Sequence, residues 1–141
     1  MKLPDKPTLY SLPRIKDPRG NLSFMQDPDQ LPFAIARCYW VYDVPGDAGR
    51  DGHAYYTSRE MVVALSGSFD VTVDRGDGSV PEKFHLNRSY NALYVPPMCW
   101  REFDNFSTNS VALVVASTLF DEADYIRDYA RFTEIASNID Q

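Results

Sequence analysis

Two side chains of this sequence, His53 and Tyr55, have the types and the spacing to transfer protons. An imidazole with an ordinary pKa of about 6.5 can take up a proton and return it near neutral pH. Residues i and i+2 of a strand point to the same side, so a strand here would direct both side chains into one pocket. Because a phenol has an ordinary pKa of about 10, Tyr55 would act as a proton donor or hydrogen-bond donor rather than as the base.

A cation further along the chain, Arg101, adds a third chemical group to this pair. Arg101 could stabilise negative charge that develops on an oxygen atom. A base, a donor and a cation together suit the removal of a proton next to a carbonyl group, through an enediolate intermediate. A hydrogen-bonded core histidine is the alternative interpretation of His53. The second histidine, His85, lies in a polar stretch at a strand edge, where we expect it to be exposed.

The elements that would position these residues are short strands. The run 69–74 alternates apolar and polar residues, which indicates a half-buried strand, and the residues after it indicate a hairpin turn. Many short strands separated by turns favour a closed barrel or a jelly roll. The sequence therefore predicts an all-β domain, with strands in the ranges 21–26, 34–44, 61–65, 69–74, 92–95 and 110–117.

The two ends of the chain depart from this pattern. The N-terminal arm, residues 1–18, is rich in proline and is expected to be irregular or an edge strand, which could cross to a partner barrel in a dimer. Acidic residues near Asp121, followed by apolar residues at helical spacing, predict a short C-terminal helix over 121–135. We expect this helix to cap the barrel and assign it no chemical role.

Length and composition limit the possible functions. A chain of 141 residues fits a single domain, residues 1–141. Its net charge of −6 argues against nucleic acid as a partner. No run of about 20 apolar residues indicates a membrane span, and no signal peptide is evident, so we expect a cytoplasmic protein. The cysteines, Cys38 and Cys99, lie in apolar stretches and are expected to be buried, reduced thiols.

The region around His53 resembles the first motif of the cupins, which are double-stranded β-helix (jelly-roll) barrels. The positions of that motif are occupied by His53, Tyr55, Glu60 and Gly67. Those of the second cupin motif are matched by Pro96, Met98, Arg101 and Asn105. A metal-binding cupin would use three histidines and a glutamate, but this chain has one of the three histidines, and an arginine would repel a metal ion. We therefore expect no metal and no cofactor.

Four further segments resemble the dTDP-4-keto-6-deoxyglucose 3,4-ketoisomerases, the WxcM-like or FdtA/QdtA family. These segments are residues 17–22, 37–43, 93–101 and 120–127, and the resemblance covers nearly the whole chain. It implies a homodimeric, metal-free enzyme that moves the keto group of a dTDP-linked 6-deoxyhexose from C4 to C3. The product would feed the synthesis of deoxyamino sugars for bacterial surface polysaccharides such as O-antigen.

The resemblance also implies roles for individual residues. His53 would be the acid and base of the reaction, in a catalytic set with Tyr55 and Arg101. Tyr55 occupies a position at which the family usually has a second histidine. Arg50 matches a family arginine that would bind the sugar or the pyrophosphate. The full set of positions expected to bind substrate is Arg19, Tyr39, Arg50, Glu60 and Trp100.

Two other functions are open at this point. The chain could be a cupin that binds a sugar nucleotide without catalysis, an alternative that the Tyr55 substitution favours. It could also be a dTDP-sugar epimerase, since that reaction pairs a histidine base with a tyrosine acid. The spacing of the motif and the segment 121–127 favour the ketoisomerase.

Overall fold

Two five-stranded antiparallel sheets face each other and form a barrel. The computed structural model describes residues 4–45 and 49–139, without the side chains of Arg50, Asp51 and Ile139. The first sheet has the strand order β1 (Thr8–Ser11), β9 (Asn91–Val95), β6 (Glu60–Ser66), β11 (Val111–Ala116) and β4 (Arg37–Tyr42).

The second sheet lies opposite the first and carries the one α-helix of the described residues, α1 (Tyr129–Ile139), on its outer face. Its strand order is β12 (Tyr125–Ile126), β5 (Arg50–Tyr55), β10 (Trp100–Asp104), β7 (Phe69–Asp74) and β8 (Glu82–Leu86). A separate small hairpin pairs β2 (Arg14–Ile15) with β3 (Leu22–Ser23). The predicted all-β jelly-roll barrel with a short C-terminal helix is confirmed.

Alternation along the strands builds the core between the sheets. In β6, Val62 and Ala64 point inward, while Met61 and Val63 point to the outer face of the sheet. The inward residues meet a layer of aromatic side chains from the second sheet and the loop that follows it, where Phe69 stacks with Phe103 and Phe106. Because both faces of β6 are covered, its first five residues are all buried.

The N-terminal arm covers part of the outer face of the first sheet. Its strand β1 pairs with β9 of the same chain, from Thr8 opposite Tyr94 to Ser11 opposite Asn91. Apolar residues that follow the strand pack on this face and bury Met61 and Tyr94. The arm thus extends the first sheet within its own chain.

The C-terminal helix begins later than predicted. Residues 122–124 form a single 3-10 turn, and Tyr125 and Ile126 then pair with Tyr55 and Ala54 of β5. The backbone of this segment therefore bonds to the sheet instead of forming an α-helix, which starts at Tyr129. The helix packs against the outer face of the second sheet through Phe132 and Ala136, beside Trp100.

One of the two cysteines departs from the expectation that both are buried. Cys99 is buried, and burial raises the pKa of its thiol to about 12. Cys38 is exposed because it alternates with Tyr39 along β4 and points away from the core. Both thiols are free.

None of the helices in the described ranges has the length and the apolar character needed to cross a lipid bilayer.

Gly67 joins β6 to β7 at a position that other residues would strain. Its φ is +66°, and a Cβ atom there would lie 2.4 Å from Ser107 Oγ and 2.9 Å from Ser110 Cα. We expect Gly67→Ala to lower the free energy of unfolding by about 1–3 kcal/mol, measured by urea denaturation. Gly78→Ala is the matched control, because Gly78 also has a positive φ, +86°, but no atom lies within 4 Å of its added Cβ. Equal losses in the two variants would contradict a steric requirement at Gly67.

Candidate active site

A cleft of about 640 Å³ opens between β4 of the first sheet and the β5–β12 edge of the second. Strand alternation directs Arg37, Tyr39 and Val41 into it from β4. The second sheet contributes His53 and Tyr55 in the same way. The remaining lining residues are Gly49, Arg101, Phe103, Phe120, Tyr125 and Arg127.

A buried ion pair joins the two sheets at the floor of this cleft. Arg101 Nη2 of β10 lies 2.8 Å from Glu60 Oε1 of β6, and the two side chains are 4% and 1% exposed. Burial by itself disfavours the guanidinium cation, but the nearby carboxylate and phenols hold the pKa of Arg101 above its ordinary value. Arg101 is therefore a permanent cation at the floor of the cleft, with Glu60 as its counter-charge.

The Nη2 atom of Arg101 has three neighbours at the same distance. It lies 2.8 Å from the Tyr39 hydroxyl, from His53 Nε2 and from Glu60 Oε1. The nitrogen carries two protons, which it donates to Tyr39 and His53. Its contact with Glu60 is therefore an ion pair without a hydrogen bond. A guanidinium only donates, and His53 Nε2 must therefore accept. In this contact the Nε2 atom of His53 presents its lone pair to the guanidinium.

Glu60 also accepts hydrogen bonds from two tyrosine hydroxyls of the site. Its Oε2 atom accepts a hydrogen bond from Tyr39 and, at 3.2 Å, a second one from Tyr55. Burial and the charge of Glu60 raise the pKa of both hydroxyls, against the opposing effect of Arg101. Both tyrosines therefore stay protonated at neutral pH and donate to Glu60.

His53 lies among aromatic rings at the centre of the cleft. Its Nε2 atom is 3.1 Å from the Tyr55 hydroxyl, which in turn is 3.3 Å from the hydroxyl of Tyr125. The strand register explains these contacts, because Arg101 lies opposite His53 on β10 and Tyr125 lies opposite Tyr55 on β12. Neighbouring strands thus bring base, cation and phenols together.

The structure brings together most of the residues that the sequence singled out. His53, Tyr55, Arg101 and Tyr39 line the cleft. Glu60 lies behind them, where it contacts the other side chains of the site, and is not among the residues that line the cleft.

Two predicted ligands of the substrate, Trp100 and Arg19, stand elsewhere. Trp100 points to the opposite face of β10 because it directly precedes Arg101, and it packs beneath α1 on Phe132. Arg19 lies in the turn between β2 and β3, exposed and paired with Asp17 at 3.0 Å. The backbone of Arg50 belongs to β5, but its side chain lies outside the described part of the structure.

Among the cleft residues that the sequence analysis did not select are Arg37, Phe120, Tyr125 and Arg127. The period-two alternation that places Tyr39 in the cleft could have identified Arg37, which lies two positions earlier on β4. Tyr125 and Arg127 lie in the segment that was expected to be helical, so the pairing of Tyr125 with β5 was not foreseen.

No three histidine, cysteine, aspartate or glutamate side chains within the described residues converge in a way that could hold a metal ion.

The fold and the site together define a cupin-type barrel whose cleft holds acid–base groups. The chain belongs to the FdtA family (WxcM-like, C-terminal), whose model matches residues 5–137. A curated relative, the TDP-4-oxo-6-deoxy-alpha-D-glucose-3,4-oxoisomerase of Aneurinibacillus thermoaerophilus, is 36% identical over 126 residues, which are 89% of each chain.

Solved structures of 3,4-ketoisomerases are also similar to this chain. A histidine-to-asparagine mutant of the 3,4-ketoisomerase QdtA from Thermoanaerobacterium thermosaccharolyticum, in complex with TDP-4-keto-6-deoxyglucose, superposes with a TM-score of 0.90 at 28% identity, covering 96% of this chain and 97% of that one. The TDP-quinovose 3,4-ketoisomerase WlaRB from Campylobacter jejuni superposes with a TM-score of 0.87 at 34% identity, covering 92% of this chain and 98% of that one. The chain shares only its fold with the 4-keto-6-deoxy sugar epimerase NovW from Streptomyces spheroides. The identity there is 20% and the TM-score is 0.73, with 86% of this chain and 68% of that one covered.

Removing the charge of Glu60 should destabilise the protein strongly. We expect Glu60→Gln to lower the free energy of unfolding by about 3–5 kcal/mol, because it leaves the buried guanidinium of Arg101 without its counter-charge. Urea denaturation measures the change. Glu122→Gln is the matched control, since Glu122 forms an exposed pair with Arg127 at 2.7 Å and should alter stability very little. A small loss in both variants would contradict the proposed importance of the buried pair.

Proposed function

We propose that this protein is a nucleotide-sugar 3,4-ketoisomerase that moves the keto group of a dTDP-4-keto-6-deoxyhexose from C4 to C3. The observation that carries the proposal is the position of His53, whose Nε2 atom lies 2.8 Å from the buried cation of Arg101 in the floor of an open cleft. The relative from Aneurinibacillus thermoaerophilus supports the reaction type, because its name describes a 3,4-oxoisomerase of such a sugar.

The residues of the cleft can perform each proton transfer that this reaction needs. His53 removes the proton from C3, and the electrons of that C–H bond form a C3–C4 double bond while the C4 carbonyl oxygen becomes negative. Arg101 stabilises this charge. The proton on O3 passes to O4, the C3 carbonyl forms, and His53 returns its proton to C4. Atoms and charge balance without a further reactant.

Tyr55 has a supporting part in this mechanism. Its raised pKa excludes it as a base, and its hydroxyl is 3.1 Å from His53 Nε2. We propose that Tyr55 donates a hydrogen bond within the site, where the family usually has a second histidine. Arg50 and Arg19 remain predicted ligands of the substrate.

Proton NMR of the protein with dTDP-4-keto-6-deoxyglucose in D₂O tests the proposed function. Loss of the C3 proton signal together with growth of a 3-keto product would establish the ketoisomerase. Exchange at C3 that yields a ring-inverted 4-keto product would instead indicate an epimerase. An unchanged spectrum, with dTDP shown to bind, would reject catalysis and leave a binding module.

His53→Asn should abolish turnover and leave dTDP binding intact. We expect the rate to fall by about 10²- to 10⁴-fold, the usual contribution of a general acid–base group. The same NMR assay measures the rate, and calorimetry measures dTDP binding. His85→Asn is the matched control, because His85 is the other histidine of the chain and lies outside the cleft, 2.6 Å from Asp70. Wild-type turnover in His53→Asn would remove His53 from the catalytic role.

We also propose that two copies of the chain associate through the outer face of β4 and β11. The N-terminal arm leaves this face uncovered, and Trp40, Tyr42 and Leu65 are each at least half exposed there. Val111 and Leu113 of β11 complete the apolar surface. A contiguous exposed apolar patch of this kind is typical of a protein–protein interface.

Trp40→Glu should therefore produce a monomer. Light scattering after size-exclusion chromatography should give about twice the 16.1 kDa chain mass for the wild type and the single chain mass for the variant. Val80→Glu, which changes an exposed valine of the β7–β8 loop, is the control and should leave the mass unchanged. A monomeric wild type would reject the homodimer.

The proposed substrate also suggests where the enzyme acts. Nucleotide sugars are activated precursors made inside the cell, so we propose a cytoplasmic enzyme that supplies deoxyamino-sugar synthesis for bacterial surface polysaccharides.

A further inference from the structure

The strand β5 carries one extra residue directly before His53. Arg101 of β10 lies opposite His53, but Phe103, two residues later on β10, lies opposite Arg50, three residues earlier on β5. Three residue steps on β5 thus match two steps on β10, which is a β-bulge. Because a bulge bends its strand and redirects the neighbouring side chain, it sets the direction from which His53 enters the cleft.

An indole ring covers this bulge on the outer face of the sheet. Trp100 directly precedes Arg101, and Gly52 directly precedes His53. A Cβ atom added to Gly52 would lie 2.5 Å from Trp100 Nε1 and 2.6 Å from Glu102 Cγ, which is closer than real Cβ atoms approach other atoms. The indole can therefore lie against the backbone of β5 only because residue 52 has no side chain.

The helix and the sheet together hold the Trp100 ring in this position. Its Nε1–H donates a hydrogen bond of 3.1 Å to Glu102. The rings of Tyr129 and Phe132, both from α1, have their centres 5.3 and 5.8 Å from that of Trp100. The Tyr129 hydroxyl in turn donates to Asp74, the residue of β7 opposite Trp100. The indole is thus enclosed between α1 and the sheet, with 6% of its surface exposed.

The two faces of the β5–β10 pair are therefore linked through adjacent residues. On the inner face, Arg101 Nη2 lies 2.8 Å from His53 Nε2. On the outer face, the residues directly before them, Trp100 and Gly52, pack together. A displacement of the backbone at residue 52 moves His53 as well, because the two residues share a rigid peptide unit. A shift of about 1 Å in a reacting group can cost about 10²-fold in rate.

We propose that Gly52 and Trp100 are positioning residues of the reaction, whose contact on the outer face fixes the bulge of β5 and thereby the place of His53 beside Arg101. This inference rests on the proposed function. Gly52 and Trp100 are not among the residues that line the cleft, so they act through His53 rather than on the substrate. The helix α1 gains an indirect part in the chemistry, because its rings hold the indole.

Turnover of Gly52→Ala tests this positioning. We expect kcat to fall about 10- to 100-fold, because the added methyl group separates β5 from the indole and moves His53. KM and the affinity for dTDP should stay at their wild-type values, since residue 52 does not line the cleft. The NMR assay of the keto sugar gives kcat and KM, and calorimetry gives the dTDP affinity.

Gly67→Ala is the matched control for a general loss of stability. Its added Cβ also meets packed atoms, at 2.4 Å from Ser107 Oγ, but it lies between β6 and β7. This variant should lower the free energy of unfolding and leave kcat unchanged. An equal fall of kcat in Gly67→Ala and Gly52→Ala would overturn the inference, because stability alone would then explain both.

A double-mutant cycle with Trp100→Leu tests whether the two residues act together. In the leucine variant a methyl group at residue 52 no longer meets the indole, and the exposed side chain of Glu102 can turn aside. We expect Trp100→Leu to lower kcat by itself and Gly52→Ala to add little to that loss, because contacting residues are not additive. The same loss from Gly52→Ala in both backgrounds would contradict the proposed contact.

Trp100→Phe is the milder variant, since it keeps an aromatic ring beneath α1. We expect a smaller fall of kcat than in Trp100→Leu, with wild-type dTDP affinity, and circular dichroism verifies the fold of each variant. Wild-type kcat in both Gly52→Ala and Trp100→Phe would reject the positioning role.

Nitrogen-15 NMR of the histidine rings tests the positioning without turnover. The chain has two histidines, so His85→Asn assigns the signals of both. Gly52→Ala and Trp100→Leu should each move the Nε2 signal of His53, which reports its hydrogen bond with Arg101, and leave the signals of His85 in place. Gly67→Ala should move neither.

The two NMR measurements separate this inference from the proposed function. If the wild type does not convert the keto sugar but the His53 signal moves in both variants, the proposed reaction is rejected and the positioning of His53 is supported. Conversion by the wild type, with the His53 signal unmoved in both variants, rejects the positioning alone. An unmoved signal without conversion rejects both.

Discussion

The buried ion pair between Glu60 and Arg101 is the constraint around which the site is organised. Each charge loses several kcal/mol of hydration on burial, so neither could remain there without the other and without further hydrogen bonds. The residues that complete this shell are Tyr39, Tyr55 and His53. The need to satisfy two buried charges thus fixes the same side chains that the proposed reaction would use.

The barrel makes this arrangement rigid because the two charges belong to different sheets. Glu60 begins β6 in the first sheet, and Arg101 lies in β10 of the second. Phe103, two residues after Arg101, stacks on Phe69 in the core between the sheets. The cleft opens next to this packed region, so its floor has well-determined side-chain positions, whereas Phe120 at its rim lies in a segment outside the sheets.

The sequence predicted the parts of the fold that depend on local patterns. Alternating or continuous apolar runs located β6, β7, β9 and β11 to within a few residues, because burial on one or both faces of a strand imposes those patterns directly. The segment 121–127 was misjudged for a related reason. Its acidic start and apolar spacing suit a helix, but pairing with β5 satisfies its backbone hydrogen bonds at the sheet edge.

The sequence by itself predicted an all-β domain, because strand patterns are local, and its resemblance to the cupin motifs implied the type of barrel and singled out His53, Tyr55 and Arg101 as candidate chemical groups. Only the tertiary structure decided which of the other residues accompany them. It placed Arg37 and Tyr125 in the cleft and Trp100 beneath the helix, since contacts between distant strands depend on register and sheet order. Spacing along one strand cannot specify its neighbours across the barrel.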